Sequence, residues 1–302
     1  MMTRVLTSHS AILRHLASVH LLAFGLTGPA QATKAVPPTP APLPAVGAAP
    51  REAADSPAVR LTLDQVKARL SAPRGDSPPD LSNADLSGLD LSDVDFKRAN
   101  LTGSRLVNSK LIHSNLFSCD LTDAVLTGAD LSRANLDGTV LRRAAFQHAN
   151  LEGASLFATI IEAADLSGAN LSGTRIIGYL RSAKLAGAKL VNANAGADPG
   201  NQSMGVMRAT FVSADLSGAD LSGANLFKAD FSHATLAQAR LQNANLNNAE
   251  LVQADLTRAD VTGAKLAKAD LYGADFTGAV GVARIQGLDQ ARNRDKAIFD
   301  AK

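Results

Sequence analysis

Few side chains in this 302-residue sequence could carry out proton-transfer, metal or nucleophilic chemistry: six histidines, one cysteine, and a series of Asp and Asn residues placed just before a Leu. His9, His15 and His20 stand in the first 32 residues, and His113, His148 and His233 each follow an apolar residue by two positions. A metal centre needs several ligands converging on one point. Because His113 and His148 fall on different faces of the repeating unit described below, solvated surface histidines are expected. Cys119 occupies a small-residue position, in phase with Ser114 and Ala124, and reads as a buried, inert thiol. A single cysteine also excludes an intramolecular disulfide framework. The Asp and Asn residues could suggest acid pairs or a calcium ladder, but the glycine-aspartate nonapeptide pattern of calcium-binding β-helices is absent. In turns such side chains accept hydrogen bonds from nearby backbone. The expectation is therefore no catalytic, cofactor-binding or metal-binding residue, and no cofactor.

What positions these side chains is a five-residue cycle. From Leu81 an apolar residue returns every fifth position through Ile176, twenty times without a miss. The phase slips by one at Leu180, Leu185 and Leu190, then returns at Val206 and runs from Phe211 to Phe276. Two positions before each apolar residue stands a small one, and from Ala209 to Ala274 it is Ala fourteen times in succession. This period fits neither the 3.6 of a helix nor the 2 of a flat strand. A chain that turns a corner once per cycle satisfies it, with the small and central residues inward and the other three outward. Aromatics are 4% of residues and Trp is absent, so such a chain buries surface by stacking small units.

Runs such as Ala214-Asp215-Leu216-Ser217-Gly218 and Ala219-Asp220-Leu221-Ser222-Gly223 resemble the motif of the pentapeptide-repeat family over residues 81 to 280. The resemblance implies an all-β fold: a right-handed, quadrilateral (four-sided) parallel β-helix solenoid with four cycles per coil. At the ~4.8 Å spacing of paired strands, about nine and a half coils make a rod of ~45 Å. It also raises the family's best-known activity, imitation of DNA to bind DNA gyrase or topoisomerase. Duplex DNA carries about one charge per 1.7 Å, so a ~45 Å mimic would want on the order of 26 negative charges. Residues 81 to 280 hold 20 acidic and 17 basic residues, a net of −3.

Beyond the repeat, Arg4 and Arg14, an apolar run from Leu16 to Leu26 and Ala30-Gln31-Ala32 read as a secretory signal peptide over residues 1 to 32, cut after Ala32. The run falls short of the ~20 residues of a membrane span, so no stable span remains after cleavage. Residues 33 to 60, with seven prolines from Pro37 to Pro57, form an extended linker. Open coil edges need covering, and short capping helices are expected at both ends. At the first, residues 61 to 80, Thr62 and Gln65 form a capping box ahead of the apolar stripe Leu63, Val66 and Leu70. Leu89 and Val94, large residues on small-residue positions, indicate a differently packed base. Residues 281 to 302 read as a C-terminal cap with one short helix across the final coil, and residues 195 to 205, around Asp198-Pro199-Gly200, as a surface loop.

These features describe an exported, periplasmic or secreted, non-catalytic scaffold or protein-binding module, either a monomer or an end-to-end homodimer. The alternative is the DNA-mimicking topoisomerase inhibitor, with an unrecognised enzyme third; no nucleic-acid partner is expected from so balanced a surface. An unidentified protein partner is the expected ligand. Its candidate surface is the outward apolar residues that align at twenty-residue spacing: Phe117, Phe157 and Ile177 on one face, with Asp137 between them, and Phe227 beside Met207 on adjacent coils.

Overall fold

The computed structural model describes residues 59–72, 75–96, 98–197 and 208–300, all within the unit Asp55–Lys302. Residues 1–58, where the sequence suggests a signal peptide and linker, and residues 198–207 lie outside these. The described chain is a parallel solenoid. Asp80 bridges Asn100, Asp85 bridges Arg105, Asp90 bridges Lys110 and Asp95 bridges Asn115, each twenty residues on, and the pattern repeats up the molecule. Four parallel ladders result, called first to fourth in that order.

One pentad shows why the chain coils. Leu101 begins a turn closed by the Ser104 N–H donating to its carbonyl at 3.0 Å. The third turn residue, Gly103, has φ of +66°, which this kind of turn demands at that place. Leu101 and Gly103 N–H donate up to Asp120 and Thr122 carbonyls (2.7 and 2.9 Å), and Arg105 N–H donates down to Ala84 (2.9 Å). Four of the five backbone N–H groups are thus bonded to backbone. The fifth, on Thr102, donates to Oδ1 of Asn100 at 3.0 Å. Buried backbone donors left unpaired are costly, and here none of the five is unpaired.

The interior is filled by the central residues, mostly Leu with some Phe, Ile and Val, all of them buried from Leu81 to Phe276. The small residues beside them are buried too, except at Leu89, Val94 and Ala279. Phe211 and Phe231 stack across adjacent coils at 4.7 Å between ring centroids. Buried Thr139, Thr159 and Thr174 fit small-residue slots because each hydroxyl donates to the carbonyl three residues back.

The phase slip has a local cause. Strand β3 (Ser155–Ile160) and strand β4 (Arg175–Tyr179) pair in parallel, with a register shift between Phe157 and Thr159. Ala158 occupies the positive-φ position in β3, whereas β4 has no counterpart to it and runs straight. Gly178 therefore lies hard against Thr159, and a Cβ there would meet its Oγ1 at 2.6 Å. The next bridges, Asp165–Lys184 to Arg175–Asn194, are nineteen residues apart, and those from Tyr179–Thr210 to Asn194–Asn225 are thirty-one. Ala195 fills a central slot, its N–H donating to Asn225 (2.8 Å), and Ala197 N–H donates to Phe227. The coil thus continues through Ala197, taking in the first three residues of the segment that the lost periodicity marks as a loop.

At the N-terminal end a short strand, β1 (Val59–Arg60), pairs in parallel with β2 (Ala84–Asp85), and Leu61 enters the core. Val59 and Arg60, read from the sequence as the end of the linker, thus already form a rung of the solenoid. Helix α1 (Leu63–Ser71) follows, with Thr62 and Gln65 exchanging both capping-box bonds and Val66 and Leu70 buried. Val94 and Leu89 pack against the core from their half-buried positions, and Val94 lines a groove of about 380 Å³ between α1 and the first coil.

At the other end, a single helix across the last coil is not what forms. Three one-turn 3₁₀ helices, Val282–Arg284, Leu288–Gln290 and Arg294–Lys296, each follow a left-handed residue: Gly281, Gly287 and Asn293. Bridges Lys265–Gln286, Asp270–Arg292 and Asp275–Ile298 show that winding continues, now with six residues per corner. Phe299 stacks on Phe276 at 5.0 Å.

The third turn position generates a test. A Cβ at Gly173 would touch nothing, whereas at Gly168 it would stand 2.6 Å from His148 Nδ1 in the coil before. Gly173→Ala should cost ~1–2 kcal/mol, the left-handed penalty alone, and Gly168→Ala more. Adding His148→Ala should return Gly168→Ala to the Gly173→Ala level in urea denaturation.

Candidate functional site

The outward surface is built from the three non-core residues of each pentad. Residues just before the central Leu bridge the coils, and their side chains form vertical chains. Asn115 Nδ2 donates to Asp95 (3.1 Å) and Asn135 Nδ2 to Asn115 (3.2 Å). Asn150 and Asn170 repeat this above Asp130, as do Asn225 and Asn245 above Asn194. The Asp and Asn series is thus occupied in closing turns and linking coils. In two pentads that lack such a residue, a side chain of the preceding coil takes over: Asp137 accepts from the Phe157 N–H at 2.9 Å, and Asn247 from the Ala267 N–H at 2.9 Å.

These bonds hold some carboxyls below their ordinary range. For Asp260 the largest contribution is the Thr262 hydroxyl, opposed by partial burial and reinforced by the Thr262 N–H and Gln242. Gln242 Nε2 lies 2.6 Å from its Oδ2. Its stabilisation is therefore present above the unfolded carboxyl value near 3.8 and is lost as pH falls through the lower folded value. Asp260→Asn keeps an acceptor for the Thr262 N–H but cannot be protonated. Its melting temperature should fall less than that of the parent between pH 5 and pH 2.

His113, His148 and His233 each occupy the positive-φ turn position, after the third, second and first ladders. Among the described residues no group of three or more His, Cys, Asp or Glu is placed to hold a metal ion. Cys119 is buried in a small-residue slot, and desolvation pushes its thiol up to about 12. It should resist iodoacetamide at pH 8 in the folded chain and react fully in denaturant.

Phe117, Phe157, Ile177 and Phe227 all follow the fourth ladder, through Asn115, Ser155, Arg175 and Asn225. The thirty-one-residue coil brings Phe227 into line with the other three, which spacing alone did not reveal. Met207 lies outside the described residues. The exposed stripe suggested by the spacing needs correction, however. Phe157 is 6% exposed and Ile177 2%, and only Phe117 and Phe227 are half-buried. The Arg175 guanidinium covers Phe157 at 4.3 Å, and Lys228 stands 5.3 Å from the Phe227 ring.

Sequence reasoning passed over the charged clusters. Arg208 donates to both Glu250 oxygens (2.9 and 3.1 Å), to Asp230 (3.2 Å) and to the Lys228 carbonyl (3.3 Å). Arg142 pairs with Glu162, and Arg143 with Asp123, each exactly one coil away in sequence. A search for opposite charges at twenty-residue spacing would have found the last two.

The sequence matches the family described as Pentapeptide repeats, in eight copies over residues 80–116, 119–156 and 207–280. It is 31% identical to HetL, a pentapeptide repeat protein involved in heterocyst differentiation regulation in the cyanobacterium Nostoc sp. strain PCC 7120. That match covers 78% of this chain and 92% of HetL, with a TM-score of 0.35. QnrB1, a plasmid-mediated fluoroquinolone resistance protein, is 19% identical over 67% of this chain and 91% of its own, with a TM-score of 0.27. A pentapeptide repeat protein of the Arabidopsis thaliana thylakoid lumen is 34% identical over 36% of this chain and 66% of its own, at 0.18. No curated protein matches the chain significantly. The chain belongs to the pentapeptide-repeat family, and its fold is the right-handed β-helix solenoid of that family. It is a repeat module, and no catalytic family is indicated.

Proposed function

We propose that this chain is an exported, periplasmic or secreted scaffold or protein-binding module. The observation that carries this reading is the filled interior: the described central residues from Leu81 to Phe276 are all buried. Recognition then falls to the outward side chains, and a rigid rod presents them at fixed spacing. The four ladders supply the sides of a four-sided coil. Helix α1 and the three 3₁₀ turns serve as its caps, keeping the two open edges from recruiting other chains. Export rests on the basic start, apolar run and Ala30-Gln31-Ala32 of the sequence. The alternative, DNA mimicry toward gyrase or topoisomerase, meets a near-balanced surface of paired charges such as Arg143–Asp123 and Arg208–Glu250.

Cell fractionation with N-terminal sequencing should find a mature chain beginning at Thr33 outside the cytoplasm. Uncut protein in the cytoplasm would overturn export. In a supercoiling assay micromolar protein should leave gyrase unaffected; inhibition or protection would favour the alternative.

A further inference from the structure

Ten residues, 198–207, separate Ala197, three residues past the fourth ladder, from Arg208, two before the first. From Asp80 on, every other rung follows the one before it by four to six residues. The rung at Thr210 comes sixteen residues after the one at Asn194 and must be re-registered on the solenoid. Its backbone bonds are those of any rung: Thr210 N–H to the Gly178 carbonyl (3.0 Å) and Phe211 N–H to the Asp230 carbonyl (2.6 Å). A longer connection adds closure entropy against this placement.

Arg208 supplies what an ordinary pentad gets from its neighbour. Its partners Asp230 and Glu250 are 22 and 42 residues onward, which on this solenoid means one and two coils up the first ladder. The guanidinium is 26% exposed, Asp230 14% and Glu250 36%, so these are partly shielded, charge-assisted bonds, two of them bidentate to one carboxylate. Burial lowers the affinity of Arg208 for its proton, but Glu250 and Asp230 more than restore it. This residue reaches two coils beyond its own, farther than a backbone bridge can.

We propose that Arg208 is an ionic clasp that fixes the register of the rejoining rung. Its release opens Ala209–Phe211 locally while the coils on either side stay wound. The device is conformational: it makes one rung of an otherwise uniform solenoid separately openable by whatever competes for Asp230 and Glu250.

Hydrogen exchange on the full chain tests this, comparing the parent with Asp230→Asn/Glu250→Gln and with Arg208→Gln. Protection of the Thr210 and Phe211 amides should fall at least about tenfold, in keeping with loss of bonds to charged groups. The Phe231 amide, bonded to the Glu250 carbonyl, should hold its protection. Trypsin should cut after Arg208 in the double variant but not in the parent. Equal loss at Phe231 would mark a general stabiliser and overturn the clasp, as would unchanged protection at Phe211. If the double variant fails to fold by circular dichroism, the parent in 1 M salt (roughly a 3 Å screening length) gives the same reading. Selective loss at Phe211 supports the clasp, and no loss there overturns it.

Discussion

The left-handed residue at each corner is the constraint on which the rest of this molecule depends. A chain of L-residues prefers not to enter that region, at a cost of roughly 1–2 kcal/mol each time. Here it does so once per pentad, often at Gly, Asn or Asp but also at Arg133, Arg143, Ala163 and Lys228. The stacking that follows offsets the cost, since each corner places two N–H groups under carbonyls of the next coil and one over the coil before. The arithmetic of the solenoid follows from these corners. Ile176 to Tyr179 lacks the left-handed residue, runs straight as β4, and shortens its coil by one. Gly281, Gly287 and Asn293 open six-residue corners and lengthen the last coil. Five residues per corner is thus one setting of a joint that this chain uses in three ways.

The Asp and Asn residues before the central Leu follow from the same geometry. The turn leaves one N–H per pentad without a backbone partner, and a short acceptor two residues earlier is well placed to reach it. The exceptions show that this bond, and not a preference for acidic surface, sets the composition. At Phe157 and Ala267 the acceptor comes from Asp137 and Asn247 in the preceding coil. An acidic count read as a ligand set or as a DNA-like field would misattribute these groups, many of which close turns or pair with an Arg or Lys one coil away.

A sealed interior leaves the module its exterior and its two ends. The fourth side carries the aligned aromatics, with Phe157 and Ile177 already covered and Phe117 and Phe227 partly open. The first side carries the paired charges of Arg142, Arg143 and Arg208. Of the large residues at small-residue positions, Val94 lines the groove beside α1 and Leu89 packs half-buried against the core.

The sequence by itself determined the period, the inward and outward sets and the capping box at Thr62, because each depends on residues within a few positions of one another. It also marked the slip at Leu180 and the interruption before Phe211, though not their geometry. Only the tertiary structure decided which pentads share a side across the thirty-one-residue coil, that Ala195 and Ala197 still belong to it, and that Phe157 and Ile177 are covered. The winding of the last coil through Gly281, Gly287 and Asn293, six residues apart, was visible as spacing but fell outside a five-residue template. The clasp at Arg208 had no local mark at all. Its partners lie 22 and 42 residues away, and that separation becomes contact only once the number of residues in each coil is known.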